Sequence, residues 1–437
     1  MHTSLVQRAV VGLPAATRSH RRLISGRGFR LLWLGEGISL VGDELHVIAL
    51  TWLALEVTGS PAILGNILAV AMLARAGWML LGGVVVDRVS PRRVMVAINA
   101  LRAVLGAMLT AFVLLDLLAV WHLYVFAFAF GLLDAFFQPA FLAIPPLLVA
   151  SDDLPPANAL LQATRRACDM LGPALGGVLL ATSGAGAAFG ADAVSFALAA
   201  MLFARIRTGE QALPRGAIHV AGRASASWRR LLHELEQGLR YIWRDRVLRF
   251  LVVAVSVVQL MLTGPLAVGL PTLARTRFAA DPLAFGLLLS AFGGGALVGT
   301  LLGGVPGRSA RWRRSITGAI GTFGVCFLVV SRAPAAPVAA LAVALAGVGA
   351  GFVLVLIYTA FQQHSTPDMR GRALSVPGFA ALACGALSNR LAGTVAEHDA
   401  GLLFAGAGGL LLCIAAGFGL SRSVPELTSN DTPGRAG

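Results

Sequence analysis

Five ionisable residues stand inside long apolar stretches of this 437-residue chain: Asp43, Glu44, Arg75, Arg102 and Asp134. A charge taken out of water is costly unless paired, so such groups face one another or a water-filled cavity. A carboxyl group in such a place also holds a proton more readily than it does in water. The same five residues can therefore form static salt bridges, for example Arg75 or Arg102 with Asp134. Alternatively, at least one of Asp43, Glu44 and Asp134 binds and releases a proton. Both readings stay open on residue type alone. Gln138 and Arg390 are further polar groups in apolar runs, and a cavity built from these seven residues is expected. At 1.5 Å per residue, Asp43 lies about 18 Å along a helix from Leu31, and Arg102 about 12 Å from Val94. Asp43 and Glu44 are adjacent, so on a helix they point about 100° apart and cannot both face one direction. Asp192 reads as structural, and Glu36 and Asp116 as solvated groups near an interface.

Positioning such groups in an apolar medium takes helices, which satisfy their own backbone polar groups. The stretch Gly82-Gly83-Val84-Val85-Val86-Asp87-Arg88-Val89-Ser90-Pro91-Arg92-Arg93 ends one apolar run in an acid, three arginines and a proline. It returns as Gly303-Gly304-Val305-Pro306-Gly307-Arg308-Ser309-Ala310-Arg311-Trp312-Arg313-Arg314. Adding 221 takes Pro61 to Pro282, Gly65 to Gly286, Gly82 to Gly303, Gly83 to Gly304, Arg92 to Arg313 and Arg93 to Arg314. A period this long is a duplicated half-protein rather than a solenoid repeat. One position breaks the symmetry, because Asp87 maps onto Arg308.

Composition fixes the medium. Hydrophobic residues make up 57% of the chain and charged residues 13%, with a mean hydropathy of +0.78. Soluble domains carry about 25% charge. Twelve apolar spans are expected at 29–54, 62–86, 94–115, 120–149, 157–181, 186–205, 247–274, 283–305, 315–331, 336–362, 373–395 and 401–420. The net charge of +14 would suggest nucleic acid in a soluble protein, but here it has another cause. All 35 basic residues are arginine, and 29 of them fall on the side of the N-terminus. By the positive-inside rule this places both termini and the long middle loop in the cytoplasm, in a plasma membrane. No nucleic-acid partner is expected; the bilayer and a small molecule are. Residues 1–27 read as a mobile cytoplasmic tail, 28–206 and 247–421 as two six-helix bundles, 207–246 as a linker and 422–437 as a second cytoplasmic tail. Within the linker, Trp228, Leu231, Leu232, Leu235, Leu239, Ile242 and Trp243 recur at helical spacing, with Arg229, Arg230, Glu236, Arg240 and Arg244 opposite. This predicts an amphipathic helix, lying at the inner leaflet or packed on the bundle.

The four cysteines lack metal-ligand spacing, and the chain holds no GxxxxGK[ST] phosphate loop and no HExxH pair. An enzyme is not expected from these residues, nor is a bound cofactor or metal.

Two repeats of six spans, a long central loop, and Gly83-x-x-x-Asp87-Arg88 with basic residues after it resemble the major facilitator superfamily. Gly172-Pro173-Ala174-Leu175-Gly176-Gly177 is similar to the GPxxGG motif of that family's antiporters, with Cys168 where the motif has its first glycine. Phe29-Arg30-Leu31-Leu32-Trp33, Val41-Gly42-Asp43 and Asp192-Ala193-Val194-Ser195-Phe196 resemble the branch of siderophore and macrolide exporters. The resemblance implies an all-α integral membrane protein of twelve helices in two pseudo-symmetric bundles, working by alternating access. It implies a monomeric, proton-driven exporter of small organic molecules; an uptake permease or lipid transporter, or more remotely a receptor or scaffold of the same fold, is the alternative. It also implies a cytoplasmic gate in which Asp87 latches onto arginines and a helix end, with Arg88, Arg92, Arg93, Arg370 and Arg372 as candidates and Gly83 allowing close approach. Pro91 stands where the family carries a basic residue. Gly172, Pro173, Gly176 and Gly177 would bend and tightly pack the fifth span.

Overall fold

In a computed structural model, residues 23, 25–207, 236–237, 239–304, 312–364 and 370–420 are described, except for the side chains of 80–81, 83–84, 87–88, 312–314, 362–364, 370–375 and 418–420. Most of the expected N-terminal tail, all of the C-terminal one and most of the linker lie outside the described residues. Among the described residues every long element is a helix: α1 Arg27–Thr58, α2 Pro61–Arg88, α3 Pro91–Leu114 and α4 Val120–Ala143. The helical run Leu154–Ala204 breaks at Gly184, whose φ of 77° and ψ of 176° suit glycine, into α5 (154–183) and α6 (185–204). Then follow α7 Arg246–Arg277, α8 Pro282–Gly303, α9 Trp312–Arg332, α10 Ala336–His364, α11 Arg370–Ala396 and α12 Ala400–Leu420.

Ten of the described helical segments are long and apolar enough to cross a membrane. One of the ten, Ser151–Ala204, is two crossings, and α11 completes the twelve read from the sequence. The protein is a multi-pass membrane protein, and large apolar side chains such as Leu114, Leu142, Leu301 and Leu341 point outward, each at least 66% exposed.

Local sequence sets the helix ends. Ser60 accepts the amide of Ile63 at 3.3 Å ahead of Pro61, and Asp281 accepts the amide of Leu283 at 2.8 Å ahead of Pro282. Both are N-caps followed by a proline whose missing N–H would have had no partner anyway. Gly59 ends α1 at φ 65°, its N–H reaching the carbonyl of Leu55. Inside α7, Pro265–Gly269 forms a π-helical turn.

The duplication shows in the packing. In the first half α1 packs on α5, α2 on α4 and α3 on α6; in the second, α7 packs on α11, α8 on α10 and α9 on α12. Each pairing recurs six helices later. The halves meet along two equivalent seams, α2 with α11 and α5 with α8. Gly65 leaves no room for a Cβ against Asn389 and Gly393, and its repeat Gly286 leaves none against Pro173 and Gly177. These described seam contacts run from the face opposite the termini, at Pro61–Gly393 and Gly177–Pro282, to mid-depth at Met72–Gly385 and Asp169–Gly293. The described structure is therefore sealed on the face opposite the termini.

At the end of the linker, Ile242 is fully buried in the main core while Leu239 and Trp243 stay exposed. That part of the expected amphipathic helix packs on the bundle through Ile242 and the partly buried Tyr241; most of the rest is outside the described residues.

Candidate functional site

The helices of the first half converge on a cavity of about 280 Å³. Its walls carry Asp43 and Glu44 of α1, Arg75 of α2, Asp134 and Gln138 of α4, and Arg165 and Asp169 of α5, closed from the second half by Leu382 of α11. Six of the seven residues expected to build a cavity are thus drawn together, since Arg102 stands directly behind this wall. Asp43 and Glu44 both line it, on different walls: Asp43 turns toward α3, whereas Glu44 lies against Gly172 of α5. A side chain at Gly172 would collide with Glu44, so this glycine of the fifth-span motif makes room for the acid.

Arg102 is the pivot. It is 1% exposed, and its guanidinium is bonded to Asp134 Oδ1 while Nη1 lies 3.5 Å from Asp43 Oδ1. Its guanidinium carbon sits 5.0 Å from the ring centre of Phe137 and 5.2 Å from that of Phe196. Two aromatic faces and two carboxylates are what keep a fully buried cation in place. Arg75 reaches the other oxygen of Asp134 at 3.5 Å. Asp43, Arg102, Asp134 and Arg75 form one chain of alternating charge linking α1, α3, α4 and α2.

Around this chain the structure places groups that the sequence did not single out. Glu36, read as solvated, is 1% exposed and pairs with Arg165 at 3.0 Å. The correction has a geometric cause: α1 starts at Arg27 rather than Phe29 and faces α5 at Glu36. Arg165 and Arg166, counted with the arginine-rich side, stand well inside α5, and Arg166 pairs with Asp169 at 3.2 Å. Asp192 is wholly buried and meets His46 at 3.1 Å, with His46 stacked 3.9 Å over Phe130. The structural reading of Asp192 fits this pair. Asp116 is exposed, as read.

Arg390 does not join the cavity. It is exposed, because its neighbour Asn389 takes the face toward α2, where its amide approaches Met72 Sδ at 3.4 Å. Consecutive helical residues diverge by about 100°, which turns Arg390 away.

Of the expected gate, the side chains of Gly83, Asp87, Arg88, Arg370 and Arg372 lie outside the described residues. Arg93 is exposed, and Arg92 donates to the carbonyls of Phe203 and Ala204, capping the C-terminus of α6. In the fifth-span motif, Gly176 packs on Ile48 of α1 and Gly177 on Pro282 and Gly286 of α8, while Ala174 N–H donates to Ser290 Oγ at 2.8 Å across the seam.

Across the seam, a smaller cavity of about 170 Å³ is lined by Arg166 of α5 and otherwise by the second half, including Val255, Gln259, Phe292, Leu354 and Ile357. Among the described residues, the ionisable groups at and just behind the larger cavity all belong to the first half: besides His46 they are six acids (Glu36, Asp43, Glu44, Asp134, Asp169 and Asp192) and four arginines (Arg75, Arg102, Arg165 and Arg166). Each arginine holds an acid. Among the described residues Glu44 has no ion pair and no hydrogen bond.

Twelve helices in two repeated bundles, a charged cavity at mid-depth and a seal on one face define a membrane transporter. The chain belongs to the major facilitator superfamily, matching the family described as transmembrane secretion effector over residues 23–436. It is 23% identical to Macrolide efflux protein A of Streptococcus pyogenes over 352 residues, 80% of this chain and 84% of that protein. It is 26% identical to Multidrug efflux pump Tap of Mycobacterium tuberculosis over 381 residues, 82% and 85% of the two. Among solved structures, a bacterial homologue of the iron transporter ferroportin in an inward-facing state aligns at a TM-score of 0.68 with 15% identity, over 90% of this chain and 99% of that one. A D-xylose-proton symporter aligns at 0.67 with 17% identity, over 91% and 98%.

Proposed function

We propose that this transporter is a proton-driven exporter of small organic molecules, acting as a monomer in the plasma membrane with both termini in the cytoplasm. The observation that carries the reading is Glu44: a carboxyl group on the cavity wall, among paired charges, with no ion pair or hydrogen bond among the described residues. Six acids against four arginines leave two negative charges over when His46 is neutral. An unpaired charge in such a place is costly, so protons or a cationic solute would balance it.

The arginine bias supports the orientation. With the termini in the cytoplasm, the close seam contacts lie toward the outside, and the cavity would be reached from the cytoplasm. Solute would enter there as Glu44 releases its proton inward; after the halves rock, Glu44 would take a proton from outside as the solute leaves. The efflux relatives support the outward direction. The cycle involves no covalent change in the solute.

The test is extrusion of a fluorescent cationic amphiphile from cells expressing the protein, with and without a proton gradient. Wild type should extrude only with the gradient. Glu44→Gln should lower gradient-driven extrusion about tenfold or more, the scale of losing one essential proton carrier. Glu56→Gln, at an exposed position near the end of α1, should change nothing. Full gradient-driven extrusion by Glu44→Gln would refute the proton-carrier assignment.

A further inference from the structure

The two seams between the halves differ at the sealed face. Ser60 and Asp281 occupy the same place in the repeat, 221 residues apart, each capping the helix that follows. At α8 the anionic cap is supplied locally, by Asp281 itself. At α2 the local cap is a neutral serine, and the acid comes from the other half of the molecule. Glu397, the residue that follows α11, accepts Ser60 Oγ–H at 2.8 Å and the Ala62 N–H at 2.9 Å, both on Oε2. Ser60 in turn accepts the Ile63 amide.

A helix N-terminus presents unpaired N–H groups and a partial positive charge, and a carboxylate there is favoured on both counts. At α8 that favourable contact moves with its own helix and says nothing about how the halves sit. At α2 it exists only while α11 stays beside α2. Directly beneath it, Gly65 and Gly393 bring the two backbones into contact, Cα to Cβ position at 3.1–3.2 Å. Opening the sealed face must pull α2 from α11 and strip Glu397 from both donors. The position is at the rim and exposed, so water replaces the lost contacts when the seam parts.

We propose that Glu397 is an interdomain latch: a cap for α2 supplied by the opposite half, which biases the transporter toward the state closed on the face opposite its termini. The inference rests on the alternating-access reading, but not on the coupling ion or the solute.

The experiment reads that equilibrium directly. Spin labels at Leu117→Cys and Ala335→Cys, exposed loop positions of the two halves on the sealed face, report the separation by pulsed dipolar spectroscopy. The four native cysteines are replaced, and the purified protein is placed in lipid nanodiscs. Glu397→Ala should raise the ratio of open to closed distances by roughly twofold to fivefold, the fold-change expected for one exposed carboxylate leaving a helix N-terminus. Glu397→Gln keeps an acceptor and should give a smaller rise. Ser60→Ala should reproduce part of the shift and add little to Glu397→Ala, since the two share one contact. Glu56→Gln should leave the distances as in wild type. An unchanged distribution in Glu397→Ala, with the variant melting as wild type does, overturns the latch. The outcome is independent of extrusion: a wild type that moves no amphiphile but shows these shifts would remove the proposed export and leave the latch standing.

Discussion

Arg102→Met replaces the buried guanidinium by an apolar side chain of similar length. Its consequences follow from the contacts of Arg102. Asp43 loses its only arginine partner among the described residues, whereas Asp134 keeps Arg75 at 3.5 Å. Removing one member of a buried ion pair costs about 3–5 kcal/mol. Two lost cation–π contacts add about 0.5–1 kcal/mol each. Asp43 and Asp134 are 39% and 36% exposed toward the cavity, where water can reach them, so the lower end applies. The expected cost is about 3 kcal/mol, read by unfolding in mixed detergent micelles. Adding Asp43→Asn removes the stranded charge and should restore about 1–2 kcal/mol of it. A single variant within about 1 kcal/mol of wild type, or a double variant showing simple additivity, would refute Arg102 as the pivot of the charge chain.

Gly286→Val should push α8 from the Pro173 carbonyl and Gly177 backbone, costing about 1–3 kcal/mol in the described state; accessibility of labels near the sealed face should rise, while Gly318→Ala, with open space around it, should not change it. Arg92→Ala removes the cation that caps α6 and should weaken its C-terminus by about 0.3–1 kcal/mol, seen as faster amide exchange around residues 203–206 and no change in the cavity.

Much of this architecture could be read from residues because a membrane leaves few choices. A lone charge in an apolar run needs a partner, and Asp43, Arg75, Arg102 and Asp134 found one another across four helices. The repeat was legible for a similar reason: Gly65 and Gly286 each mark a backbone contact that no larger residue permits. The rest depended on rotation about helix axes and on pairings between distant residues. Glu36 meets Arg165 across 129 positions, and His46 meets Asp192 across 146. Linear periodicity carries no trace of either pair. Arg390 shows the limit most simply: it stands in an apolar run as read, but Asn389 holds the inward face of that turn.

The uneven placement of charge has an evolutionary consequence. The duplicated halves have specialised, with the ion chemistry held in one and the second half's share of the smaller cavity made of Val, Leu, Ile, Phe, Ala, Gly and one Gln. Substitutions such as Val255→Ala or Phe292→Leu can reshape that wall without disturbing a single salt bridge. On the export reading proposed above, a change of cargo could be confined to one half of the gene while the salt bridges encoded by the other stay as they are.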